Sequence, residues 1–97
     1  MLLVGALSSF AQKHEVKGVV LDGNGQTVIG AAVIEQGTQN GTVTDVDGTF
    51  QLKVNSPKAL LKVTCLGMAD AVVSVNGRSD LKIKMEFEAQ VQKYVFR

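Results

Sequence analysis

From residue 81 the chain alternates strictly: Leu81, Ile83, Met85 and Phe87 are apolar, and the charged Lys82, Lys84, Glu86 and Glu88 separate and follow them. A period of two sends successive side chains to opposite faces, so this run predicts a β-strand with one buried and one wet face. The same alternation runs through Phe50, Leu52 and Val54 against Gln51, Lys53 and Asn55, and through Leu61, Val63 and Cys65 against Lys62 and Thr64. Between such runs lie Asp22-Gly23-Asn24-Gly25, Asn40-Gly41, Asp47-Gly48, Asn55-Ser56-Pro57 and Asn76-Gly77. Asn-Gly and Asp-Gly supply the positive φ that tight hairpins need, so each is expected where two antiparallel strands meet. The predicted strands are Val16–Leu21, Ala31–Gln36, Thr42–Thr44, Thr49–Val54, Leu60–Leu66, Ala71–Val75 and Leu81–Phe87. No segment after residue 11 has the 3.6-residue period of an amphipathic helix.

Short strands at this spacing predict an all-β sandwich. One sheet alone would leave an apolar face in water, whereas two facing sheets bury Phe50, Leu52, Leu61, Val63, Ile83 and Met85 against one another. With 97 residues the surface buried is modest, and the expected net stability is about 5 kcal/mol or somewhat more.

The two ends depart from the strand pattern. Met1 to Ala11 is apolar or small and uncharged, and Ser9-Phe10-Ala11 precedes the polar Gln12-Lys13-His14-Glu15. Residues 1–11 therefore read as a truncated export signal, lacking a basic leader, with cleavage after Ala11. The stretch is too short to span a bilayer, which takes roughly 20 apolar residues. No cysteine follows the cut, which argues against a lipid anchor there. Residues 12–88 form the expected β-domain, and 89–97, ending Tyr94-Val95-Phe96-Arg97, form a C-terminal tail that reads equally as an edge strand or a loose end.

Composition narrows the function. Ten basic and nine acidic residues give a net charge of +1, and neither sign collects into a run that could track phosphates, which argues against nucleic acid as a partner. Cys65 is the single cysteine, so no bridge within the chain is possible.

Residues 18–54 carry a more specific signal. Gly18-Val19-Val20-Leu21-Asp22, Gly25, Ile29-Gly30-Ala31-Ala32-Val33, Gly37-Thr38, Gly41-Thr42-Val43-Thr44-Asp45 and Asp47-Gly48-Thr49-Phe50-Gln51-Leu52 together resemble the carboxypeptidase-regulatory-like domain found at the N-terminus of SusC/RagA-type TonB-linked outer-membrane transporters. Val63-Thr64-Cys65-Leu66-Gly67-Met68 is similar to a later strand of that domain, and the likeness covers about Val16 to Glu86. It implies a seven-stranded Greek-key sandwich of the transthyretin (prealbumin) type, on the periplasmic side of an importer of glycans or peptides. It also implies an exported, outer-membrane-associated setting and a protein partner in the TonB-linked machinery. Thr27 stands where the family usually has Pro, and the acidic linker and TonB-box segment that normally follow are replaced by residues 86–97. A transporter barrel needs some twenty strands of about 10 residues, so the expected role is an accessory or interaction module, truncated or isolated from a transporter. The motif also reads physically: Gly48 is expected in a left-handed conformation that turns Phe50 into the core, and Gly30 and Gly41 are expected to relieve crowding.

Reaction chemistry finds little purchase. Placing Gly48 at the sixth position of a calcium loop puts Val43 first and Val54 twelfth, where oxygen ligands are needed. His14, the only histidine, is expected in a solvated, mobile terminus and with Glu15 lacks the further ligands of a zinc site. Cys65 is expected to be buried as a small hydrophobe, without a base to activate it. Ser56, Ser74 and Ser79 have no nucleophile-elbow setting. Asp22, Asp45 and Asp47 fall in turns, which explains them without catalysis. No catalytic, cofactor or metal residue is assigned, and no enzyme activity is expected. The alternative is a free-standing periplasmic or surface sandwich that binds carbohydrate directly. With no Trp and Phe50 and Phe87 in the inward phase, only Tyr94 and Phe96 are left to stack on sugars, so docking to protein is favoured over direct glycan binding.

Overall fold

The computed structural model describes residues 13–88. Its strands are β1 (His14–Leu21), β2 (Ala32–Glu35), β3 (Gly41–Val43), β4 (Thr49–Val54), β5 (Leu60–Thr64), β6 (Ala71–Ser74) and β7 (Asp80–Lys84). They form a three-stranded sheet in the order β4-β1-β7 and a four-stranded sheet in the order β3-β2-β5-β6. The all-β, seven-stranded, two-sheet architecture read from the sequence is therefore observed. The alternation at residues 49–54 gives β4 with the predicted bounds, whereas β5 and β7 end earlier than expected, at Thr64 and Lys84.

The turn signals locate chain reversals but not strand partners. Of these turns, only the one before Gly41 joins strands that are neighbours in one sheet. There Glu35 N donates to Asn40 O at 2.8 Å and Thr38 N to Glu35 O at 3.1 Å. The turns at Asp47-Gly48, Asn55–Pro57 and Asn76-Gly77 carry the chain from one sheet to the other, and Asp22–Gly25 does so only after the expected antiparallel pairing, a single bridge between Leu21 and Thr27. The expectation of an antiparallel pair at every such turn is thus corrected. A turn dipeptide fixes a local reversal, but which strands pair is set by the need to bury two inner faces against each other. The same need places β7 parallel to β1, with Lys17 opposite Asp80 and Leu21 opposite Lys84.

Alternation decides what enters the core. Val16 and Val20 of β1, Phe50, Leu52 and Val54 of β4, and Leu81 and Ile83 of β7 pack in one buried cluster with Val33, Leu61 and Val63 from the other sheet. Met85, just past β7, is also buried there. Gly18 lies on this inner face, opposite Phe50 on one side and Leu81 on the other. A Cβ at Gly18 would sit 2.5 Å from the Phe50 ring and 2.8 Å from the Leu81 carbonyl. The missing side chain is what makes room for the Phe50 ring in the core. Gly41 is similarly crowded, with Ile34 Cγ1 at 2.9 Å from a virtual Cβ. Gly30, expected to relieve crowding, instead has open space around it and a φ of +80°. Glycine is needed there for its backbone freedom and not for want of room.

Among the described residues two polar groups are buried with these apolar ones, and both are satisfied. Thr44 Oγ1 accepts from Ala31 N at 2.9 Å and donates to Val28 O at 2.7 Å. Glu35, 5% exposed, accepts from Asn40 Nδ2 at 2.9 Å and from the Asn55 backbone and side-chain nitrogens at 3.1–3.2 Å. Asn40 Nδ2 also donates to Lys53 O at 2.8 Å. Glu35 belongs to one sheet and Lys53 to the other, so this cluster ties the sheets at one edge. Beyond β7, Ala69 N donates to Glu86 O and Glu88 N to Gly67 O, both at 2.9 Å, which ties the β5–β6 loop to the chain leaving β7. The expectations for residues 1–11 and 89–97 lie outside the described residues.

Candidate interaction surfaces

The residues singled out for chemistry are occupied with structure. Asp45 Oδ1 accepts from Asp47 N at 2.9 Å and Thr49 N at 3.0 Å, and Oδ2 accepts from Thr49 Oγ1 at 2.8 Å. Hydrogen bonding from the Thr49 amide, and then from its hydroxyl, holds the Asp45 carboxyl below its ordinary range because these bonds favour the charged form. Gly48 completes the turn at φ +76°, as expected. Asp22 repeats the device, with Asn24 N at 2.8 Å and Gln26 N at 3.0 Å on Oδ1, followed by Gly25 at φ +82°. Both are Asp-x-x-Gly loops in which the carboxylate substitutes for backbone partners.

Two placements differ from expectation. His14 is not a loose terminal residue: it opens β1 opposite Val54, and its ring Nε2 donates to Arg78 O at 2.7 Å. The backbone ladder to β4 reaches two residues further than the apolar pattern, which begins at Val16, showed. Cys65 is half-buried, not buried. Its strand ends at Thr64, and Met68 N donates to Cys65 O in the following turn, which leaves the thiol packed at the margin of the core. Among the described residues no three of His, Cys, Asp and Glu come together as metal ligands would. Tyr94 and Phe96 lie outside the described residues.

The surface that distinguishes this molecule is the pair of outer sheet faces. On the three-stranded sheet the outward rows are Lys53–Glu15, Gln51–Lys17–Asp80, Thr49–Val19–Lys82 and Leu21–Lys84. This face is charged, and Gln51 Nε2 donates across it to Glu15 Oε2. A shallow groove of about 750 Å³ borders it, with Lys17, Thr49, Gln51, Asp80 and Lys82 among its walls.

The outward rows of the four-stranded sheet are Val43–Ala32–Thr64, Gly41–Ile34–Lys62–Val72 and Leu60–Ser74. Ile34, Val43, Leu60 and Val72 are between 37% and 57% exposed, and among the described residues the one ion pair there is Lys62 to Asp70 at 3.8 Å. Four exposed aliphatic side chains, with Lys62 set between Ile34 and Val72, make this face markedly more apolar than the other, and exposed apolar surface is the kind that marks an interaction site. The sequence reading missed this face. Its signal was present in strands whose outward positions are apolar too, such as Ala32-Val33-Ile34 and Ala71-Val72-Val73.

The CarboxypepD_reg-like domain model matches residues 16–95, which reaches every strand and both Asp-x-x-Gly turns. The chain belongs to the CarboxypepD_reg-like domain family. It is 36% identical over 91 residues to the TonB-dependent receptor SusC of Bacteroides thetaiotaomicron, a match covering 91% of this chain and 9% of that receptor. The TonB-dependent receptors P3 and P39 of Formosa agariphila are 28% and 32% identical, covering 91% and 79% of this chain. The chain spans 9% of P3 and 8% of P39, so this CarboxypepD_reg-like domain corresponds to a small part of each relative. A similar fold occurs in crystal structures of mutant type II cohesin–X-dockerin complexes from Acetivibrio cellulolyticus. Two such chains superpose with a TM-score of 0.61 at 23% and 25% identity, covering 74% of this chain and 56% of theirs.

Proposed function

We propose that this domain is a non-catalytic docking module of a TonB-dependent uptake system in the cell envelope, exported to the periplasm and associated with the outer membrane. The observation that carries the reading is the apolar outer face of the four-stranded sheet. Its aliphatic side chains lie outside the core and contribute little to folding, yet their exposure to water is unfavourable. Similarity to TonB-dependent receptors over most of the chain supplies the setting. Glycans or peptides are the nutrient classes in view, carried by a transporter of which this domain is an accessory part. A protein of the same uptake machinery is the partner that an apolar sheet face suits.

Photo-crosslinking in the native cell tests this. A photoreactive residue at Ile34 or Leu60 should yield adducts with a protein of a TonB-linked uptake system, and one at Lys17 on the charged face should not. No adduct from either face, or the same adducts from both, would reject the reading.

A further inference from the structure

The outer edges of the two sheets are protected unequally. In the three-stranded sheet, the edge strand β7 carries Lys82 and Lys84 at its outward positions, and such charges discourage pairing with another chain. In the four-stranded sheet, β3 has only three residues and turns directly into β4. The other edge, β6, reads Ala71-Val72-Val73-Ser74. None of its own four residues is charged or proline and two are valine, which favours strands. Among the described residues the only charges at this edge are therefore Asp70 and Arg78 at its two ends, with Val72 left between them.

The register shows which backbone groups β6 leaves open. Val75 N donates to Ala59 O at 3.0 Å, so the amides of residues 75, 73 and 71 point toward β5. The backbone groups of Val72 and Ser74 then point away from it. Ser74 O accepts from Arg78 Nη2 at 2.6 Å, and Arg78 Nε donates to Val75 O at 3.1 Å. Among the described residues, the N–H and C=O of Val72 have no partner strand on that side.

We propose that β6 pairs antiparallel with β6 of a second copy of this chain, about a two-fold axis at Val72. In that register each Val72 donates to and accepts from the other, which satisfies the two open groups in a single hydrogen-bonded pair. Charge favours a second copy. Asp70 precedes β6 and Arg78 lies over its far end, so antiparallel self-pairing sets Asp70 of each copy beside Ser74 and Arg78 of the other, at both ends of the contact. The interface is isologous and closes on itself, which gives a dimer and not a fibre. It joins the two four-stranded sheets and makes their apolar outer faces one continuous surface.

Sedimentation equilibrium of the 97-residue chain over a concentration series tests the proposal. The wild-type chain should show a monomer–dimer equilibrium. Val72→Lys puts like charges directly opposite each other and should weaken association at least about tenfold; Val72 is 55% exposed, and an unchanged circular-dichroism spectrum verifies folding. Asp70→Lys and Arg78→Glu should each weaken the dimer, and the double exchange should restore it. A chain that stays monomeric throughout, a dimer indifferent to Val72→Lys, or a double exchange that fails to recover association would each overturn the proposal.

Discussion

Leu60 and Leu61 are neighbours on β5 and chemically identical, yet Leu61 is fully buried and Leu60 is 44% exposed. The contrast extends to the two outer faces. The charged face of the β4-β1-β7 sheet is an ordinary solvated surface, whereas the outer face of the β3-β2-β5-β6 sheet places aliphatic side chains where the fold gains little from them. Hydrophobic residues on one strand thus answer to two different demands, folding on the inside and association on the outside.

Substitutions separate these demands. The largest effect is expected at Leu61→Ala, which should cost about 2–5 kcal/mol, a large share of a domain this small, whereas Leu60→Ala should stay within about 0.5 kcal/mol. Urea denaturation of the two variants side by side checks this, and equal losses would erase the distinction between the faces. Gly18→Ala forces a methyl group into the Phe50 ring and should cost about 1–3 kcal/mol by overpacking. A paired Gly18→Ala/Phe50→Leu variant should recover part of that loss in the same assay.

Glu35→Gln replaces one carboxylate oxygen by a donor amid the Asn40 and Asn55 donors and should cost about 1–3 kcal/mol, seen as a lower melting temperature. Ile34→Ser and Val19→Ser compare the outer faces themselves: both should leave stability nearly unchanged, within about 0.5 kcal/mol, and only Ile34→Ser should reduce adducts to an envelope partner.

The smallest effect concerns pH. The Asp45 carboxyl titrates below its ordinary value of 3.8 in the folded state, so its contribution is present above that value and is lost as pH falls through the lower, folded one. The urea midpoint should therefore decline below about pH 4, and Asp45→Asn should flatten that decline.

The sequence exposed the inner faces well, because burial on one side and water on the other write a period of two. Phe50, Leu52, Leu61, Val63, Ile83 and Met85 were legible as core for that reason. Strand partners were not: β1 and β7 lie at opposite ends of the described chain, and no local residue pattern encodes their parallel pairing. Glu35 was hidden because it sits in an inward position of β2 that the pattern assigns to apolar residues, and its partners Asn40 and Asn55 look like turn residues. The outer apolar face was hidden because Val33-Ile34 and Val72-Val73 lack the alternation that distinguishes inside from outside. The family, by contrast, was readable from the spacing of Gly and Asp in the turns, which record backbone conformation and not burial.

The parallel pairing of β1 with β7 also determines how the domain meets tension. His14 begins β1 three residues ahead of its ladder to β7, which starts at Lys17, and Lys84 leaves that ladder at the opposite pole. A pull between these points acts along the strands, so their cross-strand bonds must slide apart together, as a lap joint fails, instead of opening one by one like a zip. Single-molecule stretching between residues 13 and 88 should therefore meet a higher rupture force than peeling β6 from β5, which would make this small sandwich stiff along the line of its own chain.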